Sequence, residues 1–465
     1  MKELYIKTKK DIYRTSAITF LILLFGALGA GFINVVQILF NQPHLLAGIS
    51  SDFEKTFLFL MFWATDFFFI GFTTVLCYKI SGLPAIAPAL TLSVYFAHFA
   101  GDNPISAVEA YHAYFATPAN YGGGVNIGYM GYFIMAICLA VLIKLGYIGW
   151  DKIKESGGKK LNGTVNKLMA KFKQPQSDRA GVTLLENLDL IVLILIIPAV
   201  SSILTWLAVQ YGIQHPFNAL GKMLSGSLSD LFNSNIILAA VLMGLMVGFD
   251  IIGPVSMSAF GVATAAVLDG NARPMTIFCA CFVCMGWIPI FDFMWNKLLK
   301  IGGKRDTDDF NIAMSGPINA FFDNIKLTVA FTMPYAYKSP LTVIPGCMAG
   351  GAAAGLLTAL FKLSNDVYLS SVPQRGAELT MAELFKMGER YISFSLPLRT
   401  GEWFSLRIPL ALTVLAGGII GGLIVTLLRQ VERKISEKNG TYVETDCDIV
   451  KEMRKTASEW AAKKH

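Results

Sequence analysis

Long apolar runs, nearly free of charge, recur along this chain. Ala17–Phe40, Ile127–Ile148, Leu188–Val209 and Ile408–Leu428 are clear examples. About 20 such residues in a row are what an α-helix needs to cross a bilayer core. A soluble domain must clothe its surface in polar groups. Here 54% of residues are apolar and 15% are charged, against roughly 25% charged in ordinary soluble domains. Soluble globular architecture is therefore excluded. The runs are continuous and not alternating, which also excludes a membrane β-barrel. The sequence predicts an all-α polytopic membrane protein.

Charge placement orients the spans. Lys2, Lys7, Lys9, Lys10 and Arg14 put the N-terminus in the cytoplasm. Ala17–Phe40 is too long for a signal-peptide core and reads as a retained first span. Thr56–Cys77 returns inside to a short turn, Tyr78–Leu83, and Pro84–Phe99 leads out again. The segment 100–126 holds no Lys or Arg and is expected to be an external loop. Ile127–Ile148 leads back to the most basic loop, Trp150–Arg179, with seven lysines from Lys152 to Lys173. The net charge of +7 thus sits beside the spans, where the positive-inside rule puts it, and does not describe a nucleic-acid surface.

The second half is less regular. Phe217–Phe232 has the Gly/Ser-bearing character of an interfacial stretch. Ile236–Val247 and Ile251–Leu268 are separated by Gly248-Phe249-Asp250, with Gly253-Pro254 following. A second Gly-Pro, Gly316-Pro317, opens an apolar stretch interrupted by Asp323, Asn324, Lys326 and Pro334. Such interruptions predict broken helices, which are tolerated at membrane depth only inside protein or beside a polar cavity. Met275–Leu299, Leu341–Leu360 and Ile408–Leu428 complete the set. The expectation is about ten transmembrane helices with one or two re-entrant or broken-helix hairpins. Residues 1–428 form the membrane domain. Residues 429–465 form a charged cytoplasmic tail, too short to fold alone.

Ionisable residues within apolar runs are expensive and are candidates for function. Here they are Asp66, His98, Asp250, Asp292 and the Asp323/Lys326 pair. Each has a structural alternative. Asp66 can pair with a neighbouring helix, His98 can meet water, and Asp292 can snorkel or form an ion pair. Asp323 and Lys326 share a helix face and can neutralise each other. Asp250 lies beside a break that frees main-chain groups for a ligand. The two broken regions together offer Asp250, Ser256, Asn319, Asp323, Asn324 and Lys326 as a substrate site. Carboxylates accept hydrogen bonds and amides both donate and accept, which suits a neutral sugar or polyol. Cys279, Cys281 and Cys284 have metal-like spacing, but they stand in an apolar run without His, as packing residues do. The sequence offers no catalytic constellation, no metal site, no cofactor motif and no phosphate-binding loop for ATP.

The run Gly248-Phe249-Asp250-Ile251-Ile252-Gly253-Pro254-Val255-Ser256 resembles the Phe-Asp-x-x-Gly-Pro-Val-Asn signature of the membrane (IIC) component of fructose-type phosphotransferase systems. Ile80–Pro88 and Pro334–Pro345, the latter with the run Lys338–Pro345, resemble two further segments of that family, in the same order. The resemblance implies a fructose-type IIC fold and a sugar or polyol permease of the bacterial inner membrane. It also implies a homodimer. Separate IIA and IIB proteins would pass phosphate to the sugar, because the phosphorylated His and Cys of this family lie on those components. The enzymatic step would then belong to the phosphohistidine–sugar phosphotransferase complex and not to catalytic residues of this chain. Trp150–Arg179 is a candidate docking face.

Two departures matter. The family Glu expected to contact sugar, in Ile-Thr-Glu-Gly before the counterpart of Pro334, is replaced by Ala330, and the family Asn after Gly-Pro-Val is Ser256. Either another carboxylate such as Asp323 has taken over, or the substrate differs, or phosphate coupling is lost. An ion-gradient transporter or a non-transporting sensor on the same scaffold is the alternative. The segment 100–126, with Asp102, Glu109 and His112, reads as an insertion or a lid.

Overall fold

The computed structural model describes residues 2, 3, 5–16, 69–98, 127–172, 179–251, 253–301, 313, 325–366 and 403–443. Among the described residues every regular element is helical. Five helical stretches are long and apolar enough to span a membrane: Met130–Lys171, Gly181–Ser234, Arg273–Leu299, Pro340–Leu360 and Phe404–Lys438. Four shorter apolar helices accompany them: Phe69–Ser81, Leu83–Phe96, Ile236–Phe249 and Pro254–Val267. This is a multi-pass membrane protein. The first expected span, most of the second, the segment 100–126 and most of 362–407 lie outside the described residues.

In chain order the helices are α1 (5–16), α2 (Phe69–Ser81), α3 (Ile86–His98), α4 (Gly128–Lys171) and α5 (Ala180–Glu186). They continue as α6 (Ile197–Val209), α7 (His215–Ser234), α8 (Ile236–Phe249), α9 (Pro254–Leu268) and α10 (Arg273–Val283). The last are α11 (Ile288–Leu299), α12 (Ile325–Lys338), α13 (Pro340–Leu360) and α14 (Ile408–Lys438). The chain divides into two compact units.

One unit takes Ile70–Tyr95 and Gly131–Ile213. Gly82, at φ +82°, turns the chain out of α2 without a Cβ clash. Cys77 Sγ donates to the Ala136 carbonyl at 3.3 Å and Ser81 Oγ to that of Ala140 at 2.6 Å, fixing α2 on α4. Pro198 has no N–H for the carbonyl one turn back, and the chain ahead of it widens into a π-turn at Val192–Ile196.

The expected basic loop after Trp150 is instead helical as far as Lys171. Nothing from Asp151 to Lys171 forbids helix, since the stretch contains no Pro. Trp150 Nε1 donates to Asp189 Oδ1 at 2.6 Å, and Lys154 Nζ lies 3.0 Å from Oδ2. α5 then lies close against α4, because a Cβ on Gly181 would stand 2.2 Å from the Gly158 carbonyl oxygen.

The other unit takes Met1–Phe69, Phe96–Met130 and Gln214–His465. Its core is built on α13, which is glycine-faced on two sides. Towards α8, a Cβ on Gly351 would meet the Gly244 oxygen at 2.6 Å, and one on Gly355 the Ala240 oxygen at 2.5 Å. Towards α14, a Cβ on Gly350 would meet the Gly417 oxygen at 2.8 Å, and one on Gly421 the Gly346 oxygen at 2.7 Å. Each face repeats a small residue at i and i+4. Lipid gives helices no hydrophobic reason to associate, so close backbone approach and van der Waals contact hold them. α14 also presents Gly418 and Gly422 to α11 and the turn before it, where a Cβ would lie 2.6 Å from the Cβ of Trp287 and of Phe291, respectively. α14 continues past Leu428 into the charged tail without a break. Lys9 of α1 pairs there with Glu432 at 2.9 Å.

Candidate functional site

The first predicted break lies where the sequence puts it. α8 ends at Phe249 and α9 starts at Pro254. Asn235 caps the start of α8 by accepting the Leu238 N–H at 3.1 Å. The residue that precedes α9, Gly253, has no side chain to cap with, so Asp250 takes over from three residues earlier. Its Oδ2 accepts the Val255 N–H and its Oδ1 the Ser256 N–H, both at 2.7 Å. A carboxylate at a helix N-terminus satisfies orphan donors and meets the positive end of the helix dipole. Ser256 Oγ accepts the Gly253 N–H at 3.0 Å, and Ser258 Oγ donates to the Pro254 carbonyl at 2.7 Å.

The break is enclosed. Asp250 is 1% exposed and Ser256 is fully buried. A Cβ on Gly253 would stand 2.4 Å from Asp250 Oδ2, so glycine is required there for packing. Gly128, at φ +68°, comes so close that its Cβ would stand 2.7 Å from the Gly253 Cα. Gly221 of α7 approaches from another side, where a Cβ would meet Ser258 Oγ at 2.6 Å. Phe217 and Phe249 pack with ring centroids 5.6 Å apart. Asp250 and Ser256 are thus brought together, and both carboxylate oxygens are taken up by the N-terminus of α9.

Of the other predicted site residues, Asn319, Asp323 and Asn324 lie outside the described residues, as does Asp66. Lys326 lies in the first turn of α12, and His98 ends α3.

A second polar centre was only half legible in the sequence. Asp292 of α11 is fully buried and joins three helices. Thr426 Oγ1 of α14 donates to its Oδ1 at 2.6 Å and approaches its carbonyl oxygen at 3.1 Å. The Tyr335 hydroxyl of α12 donates to Oδ2. Arg429 of α14 reaches the same oxygen at 3.5 Å, and its guanidinium lies over the Tyr335 ring at 4.3 Å. Asp292 therefore forms an ion pair and does not snorkel. Arg429 read as the first residue of a solvated tail, yet it is 8% exposed. The available signal was its place directly after an apolar span. Cys279, Cys281 and Cys284 are all buried, as packing residues are.

Comparison with known proteins follows the same line. The chain is 28% identical over 172 residues to the "PTS system fructose-specific EIIB'BC component" of Vibrio cholerae, covering 36% of this chain and 27% of that protein. It is 23% identical over 256 residues to the "PTS system fructose-specific EIIABC component" of Bacillus subtilis, covering 54% and 39%. It is 24% identical over 240 residues to the "Fructose permease IIC component" of Bacillus amyloliquefaciens, covering 50% and 74%. The chain is a homologue of fructose-type phosphotransferase membrane components. The match takes in at most about half of this chain in these relatives, and well under half of the first two relatives' length. No family model matches the chain, and no solved structure matches it.

Proposed function

We propose that this chain is the IIC permease of a phosphotransferase system, moving a sugar or polyol of the fructose class across the bacterial inner membrane. A separate IIB protein phosphorylates the substrate as it arrives. The observation that carries this reading is the homology to fructose permease components, together with the Phe249–Ser256 run folded as a capped helix break. The substrate site we assign combines Asp250 and Ser256 with Asn319, Asp323, Asn324 and Lys326. In this reading Asp250 shapes the first hairpin and the second broken region supplies most contacts to the hydroxyls. The membrane domain is 1–428, with about ten spans, both termini cytoplasmic and a homodimeric assembly; 429–465 is the tail.

Ala330, in place of the family Glu, keeps two rivals open on the same scaffold: a gradient-driven transporter and a non-transporting sensor. Inverted vesicles carrying the chain decide between them. Supplied with phosphorylated IIB protein and fructose, they are expected to form sugar phosphate. Fructose movement that needs only a proton or sodium gradient, with no sugar phosphate formed, would overturn the phosphotransferase reading.

A further inference from the structure

The apolar part of α4 ends near Trp150, and the helix then continues to Lys171. At about 1.5 Å per residue, Leu168 stands roughly 27 Å and Phe172 roughly 33 Å beyond Trp150 along the axis. From Ser156 to Phe172 this extension carries four lysines (Lys159, Lys160, Lys167 and Lys171) and no acidic residue. All four are exposed. Its apolar residues are exposed too: Leu161 is 37%, Leu168 57% and Phe172 68% accessible. Spacings of seven and four put these three on one helix face. Lys160, Lys167 and Lys171 each immediately precede one of them, so a basic stripe runs beside the apolar stripe. α5 does not cover this face. It meets α4 through Gly158 and Asn162, where the Gly181 N–H donates to Asn162 Oδ1 at 2.7 Å.

We propose that this stripe is a docking surface for a soluble protein that presents carboxylates around an apolar depression. Anionic lipid is a poor occupant of its far end, because α4 runs unbroken from its apolar part into the extension and carries Leu168 and Phe172 along the span axis, past the Debye length of about 8 Å at physiological salt within which electrostatic attraction fades. A second copy docked on the same face would set lysines against lysines. An acidic protein matches both stripes. Resting on the function proposed above, that partner is the separate phosphoryl-carrying IIB protein.

The test uses the full chain in neutral phosphatidylcholine nanodiscs and purified fructose-type IIB protein, with binding and sugar phosphorylation read separately. Wild type is expected to bind with an affinity that falls steeply between low and high salt. The triple variant Lys160→Glu, Lys167→Glu, Lys171→Glu and the double variant Leu168→Ser, Phe172→Ser are each expected to weaken binding at least tenfold with unchanged melting midpoints. The triple Lys→Arg variant is expected to bind as wild type. Equal binding by wild type and both disrupted variants overturns this surface, even if sugar phosphate forms normally. Variant-sensitive binding with no sugar phosphate from wild type keeps the surface and overturns the proposed function. No IIB binding by wild type overturns the partner assignment, and loss of self-association in the variants would give the stripe to a second copy.

Discussion

Arg429 and Asp292 face each other across α14 and α11 with Nη1 and Oδ2 3.5 Å apart, both buried. Tyr335 stands between them in function, giving its hydroxyl to the carboxylate and its ring face to the guanidinium. A carboxylate that is fully buried keeps its desolvation cost when the Arg429 charge is removed. Arg429→Gln is therefore expected to destabilise the protein by about 3–5 kcal/mol. Adding Asp292→Asn to that variant is expected to recover a large part of the loss. Melting midpoints in detergent check the order; a double variant as unstable as the sum of the singles would refute the coupling.

Thr426→Val removes a hydroxyl that donates to the same carboxylate, at nearly constant side-chain volume. Hydrogen bonds to charged groups contribute about 1.5–3 kcal/mol. A loss in that range is expected, smaller than that of Arg429→Gln.

Two glycines on helices are expected to respond in opposite directions. Gly351→Ala puts a Cβ 2.6 Å from the Gly244 carbonyl oxygen, backbone that cannot yield without moving α8. Gly163 on the projecting part of α4 has nothing within 4 Å of its Cβ position. Gly163→Ala is expected to raise the melting midpoint, by about 0.5–1 kcal/mol in stability, and Gly351→Ala to lower it. Thermal unfolding followed by size-exclusion chromatography compares them directly.

Asp250→Asn keeps one acceptor oxygen where two N–H groups now bind, and discards the charge at the α9 N-terminus. A cap of this kind contributes about 0.5–2 kcal/mol, so the variant is expected to assemble with a modestly lowered midpoint. Sugar uptake is expected to fall at least tenfold, because the hairpin shape sets the proposed site. Normal uptake in an assembled Asp250→Asn protein would remove Asp250 from that site.

The missing family carboxylate gives a further experiment. If Asp323 has replaced it, Asp323→Asn is expected to abolish uptake, and Ala330→Glu in that background to restore part of it. Unchanged uptake in Asp323→Asn would show that the second broken region works without this acid.

By itself the sequence determined the membrane class, the places of the five long apolar helices among the described residues and the place of the first break. Those properties follow from local chemistry: apolar length sets a span, and Gly253-Pro254 after Asp250 cannot continue a helix. It determined less where the answer depends on a distant partner. Arg429 read as tail because its charge is local, while its burial comes from Asp292 and Tyr335, more than 90 positions upstream. Asp250 read as a free ligand group because sequence shows the carboxylate and hides the two N–H groups it accepts. The lysine-rich segment after Trp150 read as a loop because charge pattern separates water from lipid and does not separate helix from coil. Which glycines carry helix contacts was likewise decided only when α8, α13 and α14 came together, since close backbone approach belongs to pairs of helices and not to any one of them.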